Sequence, residues 1–205
     1  MAKPQKIVTP IGTAAWCAIN PDKPDTKFEH QWYVDLIVPK KDAVAFVKEV
    51  KAYYEATTDE YGMAAGTNPI PIKPYIDADG NKTDCLLIKC KLAASGVKKD
   101  GTPWTNKPPV LFGADLNPFV PEGLIGKGSK MRVSLAMKGY SKPKTGIKFD
   151  IVSVQIIDAA YYGVQASADD FTAEEGTATT AAPVSSREHS SVPANETEEE
   201  GNFNF

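Results

Sequence analysis

The sequence predicts a mainly β fold: a five-stranded antiparallel Greek-key barrel with one amphipathic helix and long loops, followed by a disordered C-terminal tail. Three observations predict it. Several segments alternate apolar and polar residues with a period of two between Gly, Pro and Asp turn signals. One stretch alone repeats its apolar residues at helical spacing. After Gly163 the composition turns to Ala, Ser, Thr and Glu, with too few large apolar residues to offset the entropy of ordering. The expected division is a barrel over residues 1–165 and a tail over 166–205.

Ile7 to Asn20 is apolar and β-favouring, and Pro21-Asp22-Lys23-Pro24 ends it, so one first strand is expected there. In the second, Phe28, His30, Trp32, Val34, Leu36 and Val38 occupy one alternation. Glu29, Gln31, Tyr33 and Asp35 occupy the other, and Pro39 closes the strand. Trp16 and Trp32 fall among apolar neighbours and are expected in the core. Asp42 is placed to cap a helix over 42–58, with Ala43, Val47, Val50 and Tyr54 inward and Lys48, Glu49, Lys51 and Glu55 in water.

Residues 62–84 are rich in turn formers and read as a long loop. Within it, Asp77-Ala78-Asp79-Gly80-Asn81 has the look of a calcium loop. The twelfth position would be Ile88 rather than a bidentate Glu, so a turn is expected. Cys85 to Ala94 is a strand with Leu86, Ile88, Cys90 and Leu92 on one face and Leu87, Lys89 and Lys91 on a second, basic face. Asp100-Gly101 favours a type I′ hairpin turn within Lys98-Lys99-Asp100-Gly101-Thr102, and Val110 to Phe112 resumes a strand. Met131 to Lys138 and Ile147 to Ile157 form a second hairpin through Lys142 to Gly146. Closure removes the edges such strands would expose, and an oligonucleotide/oligosaccharide-binding (OB) barrel fits this set best.

Cys17, Cys85 and Cys90 have no C-x-x-C spacing and no further zinc ligands nearby, so reduced, buried thiols are expected and no metal or cofactor. His30 and His189 lack any nucleophile motif or phosphate loop around them, which argues against an enzyme. The N-terminus has no signal-peptide run and no stretch approaches a membrane span, so a soluble cytoplasmic protein without a membrane partner is expected.

The formal net charge of −3 over 205 residues hides an asymmetry. Residues 1–165 hold 22 Lys and Arg against 17 Asp and Glu, a balance of +5; residues 166–205 hold 1 against 9, a balance of −8. A basic body can bind a polyanion even when the whole chain is acidic. Single strands are held by a basic groove that follows the phosphates and by rings on which bases stack. Lys89 and Lys91 share one strand face, Lys98, Lys99, Trp104 and Lys107 surround one hairpin, and Lys138, Tyr140, Lys142 and Lys144 surround the other. These ten are the candidate DNA-binding residues. If about five phosphates are contacted, log K falls by about 3.5 per decade of salt. The plainer alternative is that lysines at turns are merely solvated.

The tail ends in Glu196, Glu198, Glu199 and Glu200, followed by Phe203 and Phe205. A solubilising tail would not need those rings. A flexible segment of this length reaches about 35 Å, enough to return to a basic face and compete with DNA at an effective concentration on the order of mM. Displaced by DNA, Glu198, Glu199, Glu200, Phe203 and Phe205 could dock on a basic, apolar pocket of another protein.

Gly12-Thr13-Ala14, Tyr33-Val34-Asp35-Leu36 with Val38-Pro39, Ile88-Lys89-Cys90 and Gly128-Ser129-Lys130 resemble, in order and spacing, the single-stranded-DNA-binding proteins of tailed bacteriophages. The resemblance is to the type encoded beside a phage replisome, not the bacterial tetrameric type. It implies an OB barrel with one helix and sequence-independent binding of single-stranded DNA during phage replication, recombination and repair in the infected host cell. It also implies an acidic tail that contacts DNA polymerase and helicase-primase. Lys89, Tyr140 and Phe205 match family positions for a base, a ring and a terminal aromatic, whereas Lys91 stands where an aromatic is expected. Two other classes stay open: an architectural protein holding RNA or duplex DNA through phosphates, and an interaction scaffold without nucleic acid. Duplex DNA as a second ligand, and a homodimer, are compatible with the sequence.

Overall fold

Pro10 divides what reads as one apolar run. Proline carries no N–H for a ladder, and the chain forms β1 (Gln5–Val8) before it and β2 (Gly12–Ala18) after it. Both strands lie along β9 (Lys130–Tyr140): Ile7 pairs with Leu135, and Gly12 with Met131. The computed structural model describes residues 4–27, 29–61, 69–140 and 145–162, with the side chains of 58–61 excepted. The tail expected from residue 166, with Glu198, Glu199, Glu200, Phe203 and Phe205, lies outside them, as do Lys142 and Lys144.

β3 (Gln31–Pro39) follows the period-two reading, with Trp32, Val34, Leu36 and Val38 buried. The helix α1 (Lys40–Tyr61) begins earlier and ends later than the expected 42–58. Asp42 therefore sits in its first turn, where a carboxylate favours the helix dipole, instead of capping it. Its buried stripe is Ala43, Phe46, Val50, Tyr53 and Thr57, and Val47 and Tyr54, expected inward, pack half-buried against the same core. The Phe46 and Phe149 rings meet edge to face at 5.9 Å, and Tyr53 Oη donates to the Met137 carbonyl at 3.1 Å. These contacts seat the helix on the barrel core.

The region read as a loop contains β4 (Ile72–Ile76), which forms a hairpin with β5 (Lys82–Ala93). Pro74 masks it in sequence, yet an edge strand tolerates a proline. Asp77 makes the turn: its Oδ1 accepts from the backbone N–H of Asp79 and Asn81, and Gly80 adopts φ +85°. Among the described residues no group of side chains could hold a metal ion.

β6 (Ser95–Val97) and β7 (Pro103–Thr105) make a separate hairpin. Its turn is not type I′. Asp100 keeps a negative φ and only Gly101 is left-handed, at +83°, with the Gly101 N–H on the Lys98 carbonyl, so the connection is a type I turn followed by a left-handed glycine. β8 (Val110–Phe112) runs parallel to β10 (Gly146–Asp158), and β9 and β10 form the expected long hairpin.

Five of the strands close on themselves in the order β2, β3, β5, β10, β9 and back to β2. Every contact in this ring is antiparallel except β5 with β10, which run parallel at Lys91 and Asp150. Val34, Leu36, Ile88, Cys90, Val133, Leu135, Met137 and Phe149 fill the interior. The barrel is an OB-fold, as expected. Among the described residues no helix is long and apolar enough to cross a membrane.

Candidate nucleic-acid interface

Trp32 is buried as expected, its indole N–H donating to the Asn20 carbonyl at 3.1 Å. Trp16 is not: it is 60% exposed. The cause is a bulge in β2. Ala14 pairs with Leu36 and Trp16 with Asp35, so Ala15 is an extra residue in the ladder. Ala14 and Ala15 both point inward, and the alternation resumes with Trp16 on the outer face, the re-aiming of a side chain that bulges produce. Lys127 Nζ lies 6.0 Å from the ring centroid of Trp16, at the limit of a cation–π contact.

The register across the face follows from the strand pairs. Trp16 stands opposite Asp35, and Asp35 opposite Lys89; two residues along, Ala18 stands opposite Tyr33, and Tyr33 opposite Lys91. Trp16 and Tyr33 are therefore diagonal neighbours on one outer surface, next to Lys89 and Lys91. Burial pushes the Tyr33 phenol above its ordinary pKa, reinforced by the charges of Asp25 and the nearby Tyr162. Tyr162 is half exposed and lies over Gly126, where a Cβ would come within 3.1 Å of its ring. The outer face of the second and third strands is where OB barrels carry oligonucleotides, and in this barrel those are β3 and β5.

The basic side chains are less free than their spacing suggests. Lys89 Nζ is 3.5 Å from Asp35, Lys91 Nζ 3.4 Å from Glu29, and Lys138 Nζ 2.8 Å from Asp150, which also takes Lys148 at 3.3 Å. Lys73 also lies close enough to Asp35 to favour its ionised form. Burial outweighs both lysines and holds the Asp35 carboxyl above its ordinary range. Leu87, on the same alternation as Lys89 and Lys91, is buried alongside β4.

Lys98 and Lys99 are exposed at the β6–β7 turn and Lys107 is exposed just beyond β7. That hairpin is tied to β5 and β3 through Asn106, whose side chain donates to the Ala93 carbonyl at 2.8 Å, and through Ala94, which bonds the His30 carbonyl. Trp104 is half-buried directly across from Gly96, and Tyr140 half-buried directly across from Gly146. In both pairs the ring covers the glycine: an added Cβ would come 2.5 Å from the indole in one and 2.5 Å from the phenol oxygen in the other. Each ring therefore has a packing role within its own hairpin. Cys17 and Cys90 are buried free thiols and Cys85 is half-buried.

Spacing alone missed Trp16, Tyr33, Tyr162, Lys73, Lys127 and Lys148. The adjacent small residues Ala14 and Ala15 are the one local hint of the bulge that exposes Trp16.

No family model and no curated protein sequence matches the chain. Solved structures do. The single-stranded DNA binding protein gp2.5 encoded by bacteriophage T7 is similar at 24% identity and TM-score 0.57, covering 86% of this chain and 100% of its own. The single-stranded DNA-binding protein from bacteriophage Enc34 is similar at 15% identity and TM-score 0.54, covering 77% of this chain and 84% of its own. The same Enc34 protein in complex with single-stranded DNA is similar at TM-score 0.55, covering 77% and 89%. At such identities the likeness lies in the fold.

Proposed function

We propose that this chain is a non-enzymatic protein that binds single-stranded DNA without sequence preference, through the outer face of β2, β3 and β5. The observation that carries this reading is the exposed Trp16 beside Tyr33, with Lys89 and Lys91 in register across the strands. A flat ring accepts any base, and flanking lysines meet the phosphates on either side. The similarity in fold to phage proteins described as binding single-stranded DNA, one of them in complex with it, supports the same reading. The ion-paired state of Lys89, Lys91 and Lys138 favours stacking over a phosphate-only architectural role on RNA or duplex DNA.

The finer setting follows the same logic. Residues 1–165 form the binding domain, to which Lys98, Lys99, Lys107, Lys142 and Lys144 add charge at its loops. Residues 166–205, acidic and ending in Phe205, compete with DNA for it and dock phage replication proteins such as the DNA polymerase and helicase-primase. The work is replication, recombination and repair of phage DNA in the cytoplasm of the infected host.

Anisotropy titration of labelled poly-dT tests the core of this. Trp16→Ala should weaken binding by about fivefold to 150-fold, the loss of one stacked base at about 1 to 3 kcal/mol. Unchanged affinity would rule out the face as the binding surface. Removing residues 196–205 should tighten binding to poly-dT and abolish capture of the replication partners; no change in either would reject the role of the tail.

A further inference from the structure

Two carboxylates stand where a DNA-binding face would be expected to be most basic. Asp35 on β3 has a side chain only 17% exposed, with Lys89 at 3.5 Å and Lys73 nearby. Asp150 on β10 has a side chain 13% exposed, with Lys138 at 2.8 Å and Lys148 at 3.3 Å. Asp150 thus joins two lysines, whereas Asp35 pairs with Lys89 and has Lys73 beyond it on β4; Lys89, Lys138 and Lys148 are each about half exposed. Lys138 and Lys148 face one another directly across β9 and β10, where like charges repel, and Asp150 relieves them.

Such an arrangement acts unequally on the two parts of a nucleic acid. A phosphate approaching either lysine pair meets a fixed negative charge beside it, so less is gained from each contact. An uncharged base stacking on Trp16 or Tyr33 meets no such opposition. A duplex hides the faces of its bases and offers only phosphates, at greater density than a single strand. Neutral faces therefore discriminate between the two ligands, whereas strongly basic ones attract both.

We propose that Asp35 and Asp150 are specificity-determining residues that weaken the pull of the barrel on phosphate and so favour strands with exposed bases over duplexes. The inference rests on the single-strand reading above.

The test uses the full chain with Asp35→Asn and Asp150→Asn, titrated with poly-dT and with a duplex of equal length at several salt concentrations. Duplex affinity should rise about tenfold in each variant, as a charge near the phosphates is removed, while poly-dT affinity rises about threefold or less. Because Asp150 holds two lysines and Asp35 one, the duplex salt slope should steepen by about 1.8 in Asp150→Asn and by about 0.9 in Asp35→Asn. Equal gains for both ligands, or none for either, would overturn the role of the carboxylates. A wild-type chain with no preference for poly-dT would instead sink the single-strand reading itself. Should Asp150→Asn fail to fold by circular dichroism, Asp35→Asn carries the test, with its own slope change of about 0.9.

Discussion

Trp104 covers Gly96 from directly across the β6–β7 pair, so closely that a Cβ on Gly96 would lie 2.5 Å from the indole Cζ2. An aromatic laid over a cross-strand glycine stiffens a hairpin. Trp104→Ala is therefore expected to weaken poly-dT binding by about threefold or less, against at least about fivefold for Trp16→Ala. Side-by-side anisotropy titrations check the order of the two effects.

Tyr140 and Gly146 repeat the device at the β9–β10 hairpin, with the Pro69 carbonyl pressing from the other side at 2.9 Å from the Cβ position. The ring could move but the backbone carbonyl could not. Gly146→Ala should destabilise the domain by about 1 to 3 kcal/mol, the usual cost of overpacking. Urea unfolding monitored by circular dichroism would register it as a lower midpoint.

Asp35 links stability to pH. Burial raises its carboxyl pKa in the folded state above the unfolded value, so between the two the folded chain binds more protons. Stability contributed by this group rises as pH falls through the folded pKa and is lost as pH rises. Asp35→Asn should accordingly melt higher than wild type at neutral pH, with the gap shrinking as pH drops through the ordinary carboxylate range. A gap independent of pH would contradict this.

The thiols should separate by reactivity. Burial pushes Cys17 up to about 12, with its thiol donating to the Ile125 carbonyl at 3.2 Å, and burial also raises Cys90. Thiolate is the reactive form. A thiol reagent at mildly alkaline pH should label Cys85 alone in the native protein and all three cysteines in denaturant.

What the sequence made legible follows the range of the physics involved. The alternation of Trp32, Val34, Leu36 and Val38 is local and survived into β3 intact. So did the turn at Asp77 and the long hairpin ending in Ile157. The helix was found with its inward face of Ala43, Val47, Val50 and Tyr54, but Phe46 and Tyr53 are buried more deeply than Val47 and Tyr54, because Phe149 gives Phe46 a partner that spacing does not disclose. Trp16 was misplaced because a bulge is a property of two strands: the slip between Ala14 and Trp16 exists only against Leu36 and Asp35. The ion pairs were invisible for a related reason. Lys89 and Asp35 are far apart in the chain and meet only once β3 and β5 adopt their register.

The ring of strands also has a consequence in time. β2 closes onto β9 through Gly12 and Met131, and β5 finds its parallel partner only in β10. Contacts between such distant parts of a chain slow folding, because loop-closure entropy must be met before they reward it. The first strands made on the ribosome must therefore wait with their apolar faces open until Gly146–Asp158 has emerged. During that interval Pro74, set in the edge strand β4, acts as a gatekeeper against pairing with a neighbouring nascent chain.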